Sequence, residues 1–221
     1  MIIVGLDISL TSTGMVKIAT DPSYNGAFTF GGFTSVKKIA SIYPDKISFY
    51  HKDQFRNYFD RTNWMLEKIK MFCLNADYVA IEDYAFDGIG MSFHIGEFTG
   101  QIKQWLYNSG KHIRFYDITS VKKFATGSGN AKKPDIAKAF VEKYLNTPGG
   151  DKFSLLPDGR SPKEDITDAF FICKLLEREL QIRSGDKNLS EIDKWIFARQ
   201  KKKKRGVAKP SLIEIPFTHN D

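Results

Sequence analysis

The segment IIVGLDIS, residues 2–9, decides the fold of this 221-residue chain. Its apolar residues show no polar alternation, which is typical of a strand buried on both faces of a sheet. Asp7 lies inside this run, where an ionised carboxylate is costly unless a cation or a hydrogen-bonding partner compensates it. Asp7 is therefore either a functional group or a turn or helix-cap residue that precedes Ser9 and the polar residues 11–13.

Two later segments also carry carboxylates at the ends of apolar elements. Residues 78–81 predict a strand that leads directly into Glu82. Residues 163–180 predict a long helix, and Asp165 and Asp168 project from one side of its first turn because they are three residues apart. Acidic residues are common at helix starts because the helix dipole stabilises them, so this pair also has a purely structural explanation.

The combination of these acidic residues is more informative than any one of them. If the two strands are neighbours, Asp7, Glu82 and the pair Asp165 and Asp168 can converge on one point. Four carboxylates without a nearby cysteine or histidine cluster favour Mg²⁺ or Mn²⁺. Two such ions about 3.5–4 Å apart can clamp the attacking and leaving oxygens of a phosphodiester. The scattered histidines receive no catalytic role; they are His51, His94, His112 and His219.

The order of the predicted elements indicates a mixed α/β layer fold, with helices packed on a central sheet. Three strands joined by short turns open the chain, and the aromatic residues 41–52 are irregular, as in an insertion. A helix is predicted from about Asp53, as its N-cap, to about Asn75. Another is predicted over residues 94–109 and ends at Gly110.

The charge of the chain is concentrated at one end. Hydrophobic residues make up 42% and charged residues 27%, which indicates a globular protein, and the net charge is +7. Residues 199–221 contain seven basic and two acidic residues. Such a block is typical of a segment that binds nucleic acid, although a solvated tail without a partner would have the same composition.

Cysteine use and hydropathy predict an intracellular protein. Cys73 and Cys173 are isolated from each other and form no CxxC motif, so we expect two small buried residues in a reducing compartment. No apolar run approaches the roughly 20 residues that span a bilayer. The first predicted strand begins at residue 2, so we expect that no signal peptide precedes it. We therefore expect a cytoplasmic location and no membrane partner.

Four segments together resemble the RuvC family of Holliday junction resolvases: GLDISLTSTG, AIEDYAF, TSVKKFATGSGNAKK and DITDAFFI. The resemblance covers about residues 1–180 and implies a ribonuclease H-like fold, with a mixed central β-sheet flanked by helices. It implies a metal-dependent endonuclease that resolves Holliday junctions by paired symmetric nicks. The implied catalytic metal ligands, for two Mg²⁺ ions that Mn²⁺ can replace, are Asp7, Glu82, Asp165 and Asp168, with Asp7 bridging the ions.

The same resemblance suggests how branched DNA would be held. Lys122 and Lys133 occupy positions where the family places lysines that hold the phosphate backbone, although both also fit a solvated surface. Tyr84 or Phe86 could wedge into a four-way junction, although neither aligns cleanly with the family's aromatic residue. The helix over residues 94–109 matches the family's dimerisation region, which implies a homodimer, but its apolar stripe fits a protein core equally well.

These inferences divide the chain into a nuclease domain, residues 1–182, and a basic C-terminal extension, residues 183–221. The extension supplies further candidate DNA contacts, which are Lys201, Lys202, Lys203, Lys204 and Arg205.

Three other functions share parts of this pattern. A ribonuclease H or a general flap and branch nuclease would use the same metal chemistry, because specificity depends on the surface that fits the nucleic acid. A non-catalytic branched-DNA-binding protein would not need all four acidic positions to be filled. Actin-like sugar kinases and chaperones also end their first strand with Asp before Ser, Thr and Gly, but they need two such domains, for which 221 residues are too few.

Overall fold

The computed structural model describes residues 1–21, 27–42, 44–83, 92–145, 162–198, 201–202, 208–209 and 211–218. The strands are β1 (Ile2–Asp7), β2 (Gly14–Ala19), β3 (Phe28–Thr34), β4 (Ile47–Phe49), β5 (Tyr78–Glu82), β6 (His112–Tyr116), β7 (Lys201–Lys202) and β8 (Ala208–Lys209). The α-helices are α1 (Lys37–Ala40), α2 (Tyr58–Cys73), α3 (Ser92–Asn108), α4 (Ile118–Thr126), α5 (Lys133–Tyr144), α6 (Lys163–Arg183) and α7 (Glu191–Asp193). A π-helical turn, Lys194–Ala198, follows α7, and short 3₁₀ turns occupy Lys52–Gln54 and Leu212–Glu214.

Strands β1 to β6 form one mixed sheet in the order β4-β3-β2-β1-β5-β6. The first three strands pair antiparallel through short connections, whereas β1, β5 and β6 run parallel to one another. Helix α3 connects the parallel strands β5 and β6, and α2 leads from β4 into β5. The predicted mixed α/β fold is confirmed, and β1 lies at the centre of the sheet.

Strand β1 is buried on both faces, as its unbroken apolar run predicts. Val4 and Leu6 pack into a core with α2 and α3, whereas Ile3 faces a second core with α4, α5 and α6. All three side chains are fully buried. The alternation of side chains along a strand thus places a helical layer on each face of the sheet.

Helix α6 lies unusually close to β1 and β2 because two glycines leave room for its backbone. A Cβ atom on Gly5 would lie 2.3 Å from the carbonyl oxygen of Ala169, and one on Gly14 would lie 2.0 Å from that of Asp165. Any larger residue at either position would push the helix away from the sheet. The two glycines therefore fix the start of α6 at the end of β1.

Part of the C-terminal extension packs on the body of the protein. Phe197 and Phe217 are buried in the core that contains α6. The backbone N–H of Ile113, on the edge strand β6, donates to the hydroxyl of Thr218 at 2.9 Å. The extension is thus held at residues 191–198 and 211–218, on either side of the basic segment.

Three local predictions were wrong. The irregular segment 41–52 contains β4, a strand too short for its alternation to be visible in the sequence, which pairs with β3. Helix α2 begins at Tyr58 and not near Asp53, because the Asn57 side chain accepts a hydrogen bond from the N–H of Asp60 and so provides the cap. Asp168 lies in the second turn of α6, since that helix begins at Lys163.

Among the helices of the described ranges, none is both long and apolar enough to cross a membrane.

Candidate active site

Two acidic side chains meet at the end of the central pair of parallel strands. In the pairing of β1 with β5, Leu6 is opposite Ile81, and the next residues along the two strands are Asp7 and Glu82. The carboxyl ends of parallel strands lie at one edge of a sheet, which is where α/β proteins usually place their functional groups. The two strands are therefore neighbours, which is the condition under which the sequence allows these carboxylates to converge.

Helix α6 brings the second acidic pair to the same place. Asp7 pairs with Gly14 across β1 and β2, and the backbone of Asp165 rests directly on Gly14. Asp165 is 7% exposed, and its Oδ2 atom is buried without a hydrogen-bond partner. Buried carboxylate oxygens are rarely left unpaired, so this atom indicates a ligand.

The pKa values show that the four carboxylates interact. Burial raises the pKa of Asp7 well above its usual value, and the charges of Asp168, Glu82 and Asp165 raise it further. Burial and the charge of Asp168 raise the pKa of Glu82 to about 7. Burial raises the pKa of Asp168 to about 6, and the charge of Asp165 adds to this rise. The site therefore holds more negative charge than its surroundings compensate.

These side chains meet the chemical requirements of a divalent cation site, but they do not yet enclose one. All donors are hard carboxylate oxygens, and the unpaired Oδ2 of Asp165 is available for coordination. Among the described residues, however, no three Asp, Glu, His or Cys side chains are already arranged to hold a metal ion. The carboxylates are thus close enough to raise one another's pKa values.

Both lysines suggested by the family resemblance lie at this site. The ammonium of Lys133, at the start of α5, is 3.0 Å from Oε2 of Glu164 and 4.0 Å from Oδ1 of Asp165. Burial lowers the pKa of Lys133, but the hydrogen bond to Glu164 and the charge of Asp165 outweigh this and raise it. Lys122, on α4, is near enough for its charge to lower the pKa of Glu82.

Several candidate DNA-binding residues belong to parts of the chain for which the structure describes no side chains. Tyr84, Phe86, Lys203, Lys204 and Arg205 lie outside the described residues. For Lys201 and Lys202 the structure describes only the backbone, which forms β7 and pairs with β8. The roles suggested for these seven residues stay predictions.

Two acidic residues, Glu164 and Glu179, make contacts that were not predicted from the sequence. Glu164 carries the closest contact to Lys133, but its position beside Asp165 gave no separate signal. The buried Glu179 accepts hydrogen bonds from Arg114 at 2.6 Å and from the hydroxyl of Tyr116 at 2.7 Å. The position of Glu179 among the apolar residues of a predicted helix could have indicated a buried ion pair, since buried charges are almost always paired.

Comparisons with known proteins place this arrangement in a recognised fold. No protein-family model and no curated protein matches the chain. Among solved structures, RuvC of Thermus thermophilus is similar at a TM-score of 0.54 and 15% identity, over 84% of this chain and 97% of that one. The same protein in complex with a Holliday junction substrate gives 0.54 and 15%, over 78% and 90% of the two chains.

A viral protein gives a similar result. The Fowlpox virus resolvase, in complex with substrate Holliday junction DNA, has a TM-score of 0.52 and 17% identity, over 81% of this chain and 99% of that one. At such identities the likeness concerns the arrangement of helices and strands. This chain therefore has the ribonuclease H-like fold seen in RuvC and in the poxvirus resolvase.

Proposed function

We propose that this protein is a metal-dependent endonuclease that cleaves branched DNA, and that it resolves Holliday junctions by paired symmetric nicks. The observation that carries this proposal is the convergence of Asp7, Glu82, Asp165 and Asp168 from β1, β5 and α6 at one end of the sheet. The solved structures of similar fold support it, because two of them hold a Holliday junction.

In this proposal the four carboxylates bind two Mg²⁺ ions, or Mn²⁺ in their place. When bound, such ions supply activation of the attacking water and stabilisation of the leaving oxygen. Asp7, Glu82, Asp165 and Asp168 would hold these ions, whose positive charge would offset the repulsion that raises the pKa values of Asp7, Glu82 and Asp168. Lys122 and Lys133 hold the phosphate backbone at the rim of the site. The products would carry 5′-phosphate and 3′-hydroxyl ends.

The experiment that tests this function compares substrates side by side. Cleavage of a four-way junction, a flap, a linear duplex and an RNA–DNA hybrid would be measured with Mg²⁺, with Mn²⁺ and with EDTA. We expect the junction to be cut fastest, in two symmetric positions, and only with a divalent ion. Preference for the hybrid or the flap would identify a ribonuclease H or a general branch nuclease. Binding without cleavage of any substrate would identify a branched-DNA-binding protein.

We further propose that the active protein is a homodimer, because two symmetric nicks require two sites related by a two-fold axis. The predicted dimerisation helix, now α3, has its stripe Phe98, Ile102 and Leu106 buried in the core. That stripe is unavailable to a partner, so we place the contact at the N-terminal ends of α2 and α3. Phe59 and Phe93 are 64% and 82% exposed there.

The dimer contact can be tested with one substitution. We expect Phe93→Asp to shift the sedimentation coefficient from dimer to monomer, because a charge in an apolar interface has no partner. Met71→Asp is a matched control, since Met71 is 71% exposed at the far end of α2. A dimer that survives Phe93→Asp, or dissociates equally with Met71→Asp, would place the contact elsewhere.

The basic extension is proposed to contact DNA phosphates. We expect neutralisation of five basic residues to weaken junction binding and to reduce its salt dependence; these are Lys201, Lys202, Lys203, Lys204 and Arg205. The variant would neutralise fewer DNA phosphates, so fewer counterions would be released on binding. Binding would be measured between about 50 and 200 mM salt in EDTA. Substituting these residues keeps residues 211–218 in place against β6, which deletion of the extension would not. An unchanged salt slope would exclude the segment as a DNA contact.

A further inference from the structure

The ion pair between Lys133 and Glu164 holds the Lys133 ammonium beside the carboxylates of the candidate site. Lys133 is about half exposed, and its ammonium lies 1 Å closer to Glu164 than to Asp165, at 3.0 Å against 4.0 Å. Glu164 and Asp165 are consecutive residues in the first turn of α6. Glu164 therefore competes with Asp165 for the same ammonium group.

Asp165 is more deeply buried than Glu164 and has a carboxylate oxygen without a hydrogen-bond partner. Its side chain is 10% exposed, compared with 26% for Glu164, and its Oδ2 atom has no hydrogen-bond partner. The Lys133 ammonium is 4.0 Å from Oδ1 of Asp165, and its charge already lowers the pKa values of Asp7 and Asp168. An ammonium that moved closer to Asp165 would compensate more of the negative charge that a cation would bind. A lysine in that position would weaken the binding of a divalent cation by its charge.

We infer that Glu164 is a positioning residue that holds Lys133 at the rim of the carboxylate pocket, so that the pocket stays available to divalent cations. This inference rests on the proposed function and deepens it, because it assigns the two neighbouring acids of α6 to different tasks. Asp165 would bind the cation, and Glu164 holds the lysine ammonium 1 Å nearer to itself than to Asp165. The same contact leaves the ammonium beside the pocket, where a bound phosphate can accept its hydrogen bonds.

Binding of Mn²⁺ alone, without DNA and without cleavage, tests this inference. We expect Glu164→Ala to weaken Mn²⁺ binding about tenfold, since Lys133 then moves to Asp165. In the Lys133→Met background the same substitution should have little effect, because no ammonium remains to approach Asp165. Such non-additivity is the signature of two residues that act together.

Two further variants separate this role from simple alternatives. Glu164→Asp keeps the charge on a shorter side chain, and we expect it to restore part of the lost affinity. Glu142→Ala is the matched control, because Glu142 pairs with Lys138 on the exposed side of α5 at 3.8 Å, two to three turns from Lys133. We expect it to bind Mn²⁺ like the unchanged protein.

The outcomes also separate this inference from the proposed function. If the unchanged protein binds no Mn²⁺, both are overturned. If it binds Mn²⁺ and Glu164→Ala weakens binding equally with and without Lys133, Glu164 is a simple charge near the site and only the inference is overturned. An unchanged affinity in Glu164→Ala overturns it in the same way.

Discussion

Replacing Asp7 with Asn is expected to abolish metal-dependent cleavage of a synthetic four-way junction, with a loss of about a thousandfold or more. Asn has nearly the same shape as Asp but lacks the charge, so the fold should persist while the pocket loses its most central ligand. Asp7 interacts with all three other carboxylates of the site. Single-turnover cleavage with Mg²⁺ measures the loss.

Junction binding by the same variant should be unchanged or tighter, because one negative charge near the DNA phosphates is removed. A gel-shift titration in EDTA measures this without cleavage. Asp83→Asn is a suitable control, since Asp83 follows Glu82 but its side chain lies 3.7 Å from Lys103 and is about half exposed. Equal cleavage by Asp7→Asn and the unchanged protein would show that the active site lies elsewhere.

The central part of the site could be predicted from the sequence because the residues conflict with their surroundings. Asp7 and Glu82 each end an apolar run, where packing alone gives no reason for a carboxylate. The sequence could not establish that β1 and β5 are adjacent, since strand pairing depends on the whole fold. It indicated only that the acids would meet if the strands were neighbours.

The supporting contacts could not be predicted, because they depend on distances between remote segments. Nothing in the sequence marks Gly5 and Gly14 as the positions on which α6 rests. The position of the Lys133 ammonium between Glu164 and Asp165 depends on how α5 and α6 pack. The anchoring of residues 211–218 on β6 likewise joins segments about a hundred residues apart.

The raised pKa values of the site predict how the stability of the metal-free protein depends on pH. A carboxyl group whose pKa is higher in the folded state binds its proton more tightly there, so folding is favoured while it is protonated. Stability is then lost as pH rises from the unfolded pKa through the folded one. For Glu82 this interval runs from 4.5 to about 7, and for Asp168 from 3.8 to about 6.

We therefore expect the free energy of unfolding in EDTA to fall by on the order of 3 kcal/mol between about pH 4.5 and pH 8. Each unit of pKa shift is worth about 1.4 kcal/mol. The contributions of Glu82 and Asp168 do not simply add, because the carboxylates interact. Urea unfolding at a series of pH values measures the fall. Glu82→Gln should reduce the fall, because Gln carries no charge at any of these pH values. Glu142→Gln, at an exposed ion pair on α5, should leave the fall unchanged.

Divalent cations should reverse this loss of stability at pH 8. A ligand that binds only the folded state raises the free energy of unfolding. Once the ligand concentration exceeds the dissociation constant, this gain grows with the logarithm of the concentration. The gain from Mg²⁺ or Mn²⁺ should be large at pH 8 and small at pH 5, where protons compete for the same oxygens. A stability that is flat from pH 5 to pH 8 in EDTA would contradict the close approach of the four carboxylates, on which the proposed metal site depends.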